Sequence, residues 1–156
     1  MAWSIVDKNL IKDDKPTLGT WSSETDTSHN QLCEGDVSGD SLVMQTDSEE
    51  LLHAGISVAE RAWEKFLRAL QWSPHDPELV ITHQVGKAHT QAVLNALQID
   101  SALNFPSYET LGNCGSVSLP ITYTLACESD PGNLERKAAL LGIGSGLSSL
   151  MLSINS

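Results

Sequence analysis

Three short segments carry residue types suited to holding negative charge as it develops on an oxygen: Thr82-His83-Gln84, Gly112-Asn113-Cys114-Gly115 and Gly144-Ser145-Gly146. A neutral imidazole and a carboxamide each offer an N–H donor, and a glycine turn lets main-chain N–H groups approach a ligand closely. Each piece alone has a plain structural reading: an incidental strand-end histidine, a turn asparagine that tolerates positive φ, and a tight turn between strands. Together, His83, Asn113 and the main chain of Gly144, Ser145 and Gly146 could bind the oxyanion of a thioester enolate or a tetrahedral intermediate. Other chemistries find less support. His83 and His89 are six positions apart with no carboxylate to complete a ligand set, so no metal site is expected. Gly144-Ser145-Gly146 lacks the strand-to-helix setting of a nucleophile elbow. Gly112-Asn113-Cys114-Gly115 fits no dinucleotide or phosphate loop, and no cofactor is expected.

These groups need a scaffold, and the hydrophobic pattern supplies one. Leu79–His83 is a short β-branched run, read as a buried strand that ends at the histidine. Leu52, Ile56, Ala59, Trp63, Phe66 and Leu70 recur at four- and three-residue steps, which predicts one long amphipathic helix. It starts near Thr46, Asp47 and Ser48 and stops before Ser73-Pro74. The opposite face alternates Arg61, Lys65 and Arg68 with Glu60 and Glu64, as a solvated helix face does. Lys87–Leu97 reads as a second helix, and a third runs from about Pro120, where proline suits the first turn, to Glu128. Ala138–Ile143 and Leu147–Ile154 read as a hairpin closed by the glycine turn. Residues 2–11 and 17–23 read as two strands, and the Ser/Asp/Thr/Gly-rich residues 24–47 as one long loop. The resulting order, ββ, α, β, α, α, ββ, predicts a layered α/β domain on a mixed sheet.

A chain of 156 residues with 40% apolar and 19% charged side chains has room for one globular domain. Its net charge of −11 argues against a nucleic-acid partner, which would need a face rich in Lys and Arg. Cys33, Cys114 and Cys127 form no CxxC pair, so neither a disulfide framework nor a zinc site is expected. No secretory leader is recognisable, and Ala138–Leu152 is broken by Gly and Ser and too short to span a bilayer. A cytoplasmic location without a membrane span is the expectation.

The run ITHQVGKAHTQAVLNALQID resembles the histidine motif of the ketoacyl-ACP synthase III branch of the thiolase superfamily. FPSYETLGNCGSVSLPITYTLA resembles that family's asparagine motif, and LLGIGSGLSSLMLSI its C-terminal glycine hairpin. The thirty-residue step from His83 to Asn113 matches the family spacing. TDSEELLHAG and LGNCGSVSLPIT are similar to the branch that joins two long-chain acyl-CoA molecules head to head. The resemblance implies a thiolase-like half-domain over residues 1–156, with a mixed five-stranded-type sheet and helices on both faces. It places residues 1–23 among the last strands of a preceding half.

By the same resemblance, His83 and Asn113 would stabilise the enolate that attacks an acyl-cysteine, with Gly144, Ser145 and Gly146 lining the oxyanion site. Gly86 departs from the family, where asparagine often stands three residues after the histidine. The nucleophilic cysteine would come from a cysteine-bearing N-terminal half or a homologous subunit. Cys114 adjoins Asn113 but fills the motif's small-residue slot and has no cationic neighbour in sequence; Cys33 lies in the acidic loop and Cys127 among apolar residues. The resemblance also implies that the Lys87–Leu97 helix belongs to a layer shared with the other half. Only Arg61, Lys65, Arg68 and Lys87 suggest a basic patch for an acyl-carrier protein, so acyl-CoA is the expected substrate form. The alternative is a non-catalytic partner subunit or inactive fragment that keeps the fold. A small binding domain with accidental motifs is a third.

Overall fold

The strongest periodicity in the sequence becomes the longest element, helix α1 (Ser48–Leu70). The computed structural model describes residues 16–28, 33–38, 41–46, 48–144 and 146–155, with side chains given for 16–28, 50–144 and 146–154. Ala59, Trp63 and Phe66 of the apolar stripe are buried against the sheet, together with Val58, Ala62 and Leu67. The sheet has four strands among the described residues, in the order β1 (Thr17–Thr25), β6 (Ser148–Asn155), β5 (Ala138–Gly144), β4 (Leu79–Thr82). β4 and β5 are parallel and the other neighbours antiparallel, so the sheet is mixed. Among the described residues the sheet shows no fifth strand, where one was expected.

Two of the remaining strands fall where a loop was expected. β2 (Cys33–Ser38) and β3 (Ser41–Thr46) form a separate antiparallel hairpin inside residues 24–47. The polar composition of Cys33–Ser38 hides it, because strand pairing is satisfied by main chain whatever the side chains are. Ser38 pairs with Ser41, so two residues connect the strands, and Gly39-Asp40 is an ordinary hairpin composition. Residues 2–11 lie outside the described residues, whereas 17–23 lie in β1, the outermost described strand of the sheet that carries His83.

Each face of the sheet has its own helix layer. α1 and α2 (Lys87–Ala96) cover one face, where Trp63, Phe66, Val80, Val93, Leu94, Leu141 and Met151 pack together. α4 (Ser118–Ser129) lies over β4 and β5 on the other, where Ile81, Tyr123, Ala126 and Leu140 meet. A strand covered on both sides has no polar face, which is why Leu79–Thr82 shows no alternation and is buried throughout. The apolar side of α2 is satisfied within the chain: Val93, Leu94 and Leu97 are at most 8% exposed. Exposed apolar side chains of β1, β6 and α4 lie on the α4 side instead. Trp21 (64% exposed) and Leu150 (42%) alternate with the buried Ser22 and Met151, so they face away from α1. Ile121 of α4 is exposed as well. The α4 side of the sheet is thus the one that leaves apolar surface open.

Candidate active site

The parallel pair β4–β5 places both strand ends at one edge of the sheet, the usual position of a site in an α/β domain. His83 follows directly on β4. Its N–H donates to Leu141 O at 2.8 Å, which fixes it beside Gly142 and Ile143 of β5. Its side chain is partly buried and lines a small cleft with Ala59 of α1, His89 and Val93 of α2, and Met151 of β6. Burial in these largely apolar walls pushes the His83 imidazole below its ordinary pKa, so it is neutral at pH 7 and keeps an N–H donor.

Asn113 arrives from the other side. A one-turn helix, α3 (Tyr108–Leu111), ends at Gly112, whose φ of 65° reverses the chain at a conformation costly for a side chain. Asn113 Oδ1 then accepts from Gly115 N at 2.9 Å and lies 3.4 Å from the buried Ser118 Oγ. Because the oxygen is held by these donors, the Nδ2 amide points away from the turn, and Asn113 is exposed. Leu119, in the first turn of α4, seats against β5: its Cδ1 would lie 3.2 Å from a Cβ built on Gly142. The absence of a side chain at Gly142 therefore lets the start of α4, through Leu119, pack closely on the end of β5.

The glycine turn is placed less tightly. Gly144 ends β5 and is exposed, Gly146 has φ 98°, and Ser145 lies outside the described residues. The cleft is lined by Gly142 and Ile143, and by neither Gly144, Gly146 nor Asn113. His83 and the end of β5 are thus brought into direct contact, while Asn113 stands outside that cleft and is tied to α4 through Ser118. The arrangement supplies two uncharged N–H donors, one in an apolar cleft, which is chemistry for stabilising an oxyanion.

Residues 67–154, more than half of the chain, match the family described as 3-oxoacyl-[acyl-carrier-protein (ACP)] synthase III C terminal. The chain belongs to that family. Acyl-CoA:acyl-CoA alkyltransferase of Shewanella oneidensis is 40% identical over 134 residues, covering 81% of this chain and 38% of the relative. A 3-oxoacyl-(acyl carrier protein) synthase III, FabH, of Xanthomonas oryzae superposes with TM-score 0.80 at 31% identity, over 92% of this chain and 41% of that one. Xanthomonas campestris OleA, in a structure with bound lauric acid and lauroyl-CoA, gives TM-score 0.76 at 31% identity, over 90% and 41%. This synthase III C-terminal chain therefore spans about two fifths of the length of the relatives it matches, and its fold is the C-terminal, thiolase-like half of theirs.

Two functional candidates in the synthase III C-terminal chain are legible only in three dimensions. His89 lines the same cleft as His83, and its Nδ1 is buried without a hydrogen bond among the described residues. The start of α2 at Lys87 is the signal: it puts His89 and Thr90 in the first turn, folded back on the end of β4, with Thr90 Oγ1 3.4 Å from Thr82 Oγ1. The other is Gln84, only 1% exposed. Cys127 is buried, which pushes its thiol up, and Cys114 Sγ lies 3.5 Å from Leu111 O.

A pH effect follows from the two imidazoles. Burial lowers both, and for His89 the neighbouring His83 adds to it. Their folded values lie below the unfolded value of about 6.5, so protonation favours the unfolded chain. The contribution is complete above about pH 6.5 and is lost as pH falls through the folded values. Asp76, whose carboxyl is held below its ordinary 3.8 chiefly by hydrogen bonds from Ser73, acts only in a lower window. The midpoint of thermal unfolding should therefore drop between about pH 7.5 and 5, and less so in His89→Gln. Melting curves followed by circular dichroism at matched ionic strength test this; a midpoint constant across that range would contradict it.

Proposed function

We propose that this chain is the C-terminal half of an acyl-thioester condensing enzyme, in which His83 and Asn113 stabilise the enolate or oxyanion and the nucleophilic cysteine comes from another segment or subunit. The observation that carries this reading is the partly buried His83 in an apolar cleft at the end of β4, inside the segment that matches the synthase III family. A neutral donor stabilises charge that appears only in the transition state without first binding an anion. The open apolar surface of Trp21, Leu150 and Ile121 supports a partner half on the α4 side, since such patches mark contact surfaces.

Acyl-CoA is the substrate form we favour over acyl-carrier protein, consistent with the alkyltransferase relatives. An acidic carrier needs free cations on its docking face, but Arg61 and Lys65 are paired with Glu24, and Arg61 also with Asp26. An inactive partner subunit is the competing reading, supported by the buried Cys127, whose thiol is pushed up, and by the lack of a cationic neighbour in sequence at Cys114. Two measurements separate them. Intact mass after incubation with an acyl-CoA should show no acyl-enzyme on the chain alone, because covalent catalysis needs an activated nucleophile; stoichiometric acylation at Cys114 would overturn the assignment. Co-expression with the cysteine-bearing remainder of an alkyltransferase relative should give condensation with CoA release. A stable complex that never condenses would favour the inactive subunit.

A further inference from the structure

Gln84 is one of the most buried polar side chains of the fold, and its hydrogen bonds bridge the two site loops. Its Nε2 donates to Thr82 O at 2.6 Å, and its Oε1 accepts from Ser107 N at 2.7 Å and Tyr108 N at 2.9 Å. The Thr82–His83 peptide is therefore held from both ends, its carbonyl by Gln84 and its N–H by Leu141 O at 2.8 Å. On the other side, the carboxamide oxygen takes the two N–H groups that open α3, groups that a one-turn helix cannot satisfy internally. Asn113 follows two residues after that helix. The bridge is braced on both flanks: Ser107 Oγ is 2.5 Å from Thr122 Oγ1 of α4, and Thr82 Oγ1 is 3.3 Å from Asn104 Oδ1. Every one of Gln84, Thr82, Ser107 and Thr122 is at most 5% exposed, where an unpaired polar group is costly.

We infer that Gln84 is a positioning residue that fixes the His83 turn against the Asn113 loop, so that the two donors keep one relative placement. This rests on the reading that His83 and Asn113 serve one reaction, but the coupling is measurable whether or not the reaction occurs. A carboxamide is the group that fits, because the site needs one donor and a doubly accepting oxygen on the same planar end. Methionine keeps the length and removes all three hydrogen bonds. Glutamate keeps the shape and can donate to Thr82 O only while protonated.

The test is NMR on the labelled full chain, reading the His83 amide and the Asn113 side-chain amide. In Gln84→Met, both sets should shift together, and the Ser107 and Tyr108 amides should exchange about tenfold faster or more. Leu97→Ala, in the core away from this bridge, serves as a destabilised control and should leave both sets in place. In Gln84→Glu, the same resonances should step from wild-type-like at low pH to displaced at high pH, with one midpoint that the wild type lacks. That step is rescue by protonation, which a purely structural loss does not produce, and it remains readable where Gln84→Met fails to fold. Unmoved His83 and Asn113 signals in Gln84→Met, equal shifts in Leu97→Ala, or no step in Gln84→Glu would each overturn the inference. Coupled shifts in a chain that never condenses acyl thioesters would instead count against the proposed reaction alone.

Discussion

His83→Ala, in an enzyme assembled from this chain and a cysteine-bearing remainder, is expected to slow condensation about 10²–10³-fold, the usual loss for one oxyanion donor. The loss should fall on kcat rather than KM, because a neutral N–H interacts far more strongly with a full oxyanion than with a ground-state carbonyl. Asn113→Ala should behave in the same way. If both groups hold one oxygen, the double variant should lose less than the product of the single losses, since the second removal acts on a site already disabled. Multiplicative losses would place the two side chains in separate steps. A loss below about fivefold for His83→Ala, well under the usual donor effect, would remove the residue from the chemistry. CoA release with a single acyl-CoA substrate provides the rate, and unchanged circular dichroism guards against misfolding.

Phe66→Ala carries the largest expected effect on stability. The ring is fully buried, stacked 5.5 Å from Trp63 and edge-on 6.0 Å from Trp72. Removing it takes away a large apolar group and leaves a cavity bounded by α1 and the sheet, a change that costs about 3–5 kcal/mol. Net domain stability is commonly about 5–15 kcal/mol, so the variant is expected to unfold at much lower urea concentration or to lack a folded baseline. Phe66→Leu fills most of the space and should lose under about 1.5 kcal/mol. Urea titrations of the two variants make the comparison, and a Phe66→Ala loss below about 1 kcal/mol would contradict the packing described. The effect reaches the site as well, since α1 carries Ala59 into the wall of the cleft.

The elements that set the site were legible where the signal is local. The stripe from Leu52 to Leu70 fixes one face of α1, and the apolar runs around Gly144-Ser145-Gly146 give β5 and β6, because periodicity and turn composition act over neighbouring residues. Pairing across long separations was not legible. Nothing near Thr17 announces β6 as its partner, and the polar Cys33–Ser38 strand carries no alternation to reveal it. The layering of α2 was misjudged for a similar reason: whether Val93 and Leu94 face a partner or α1 depends on packing that no window of sequence contains. His83 and Asn113 stand out through their joint donor chemistry and the family motif, since each alone reads as an ordinary strand-end or turn residue. Gln84 and His89 stood in plain view in that motif. Their importance depends on burial and on contacts 23 or more residues away for Gln84, and for His89 on where α2 begins.

The antiparallel pairing of β1 with β6 also bears on how the molecule is made. Thr25 and Ser148 sit side by side although 123 residues separate them. At about 5–20 residues per second, a ribosome needs roughly 6–25 seconds to cover that stretch. Among the described residues β1 pairs only with β6, so for that pairing its main-chain donors and acceptors stay unmatched throughout the interval. Such an edge pairs readily with any other extended segment. The interval between the synthesis of Thr25 and that of Ser148 is therefore the period in which a chaperone has most to protect.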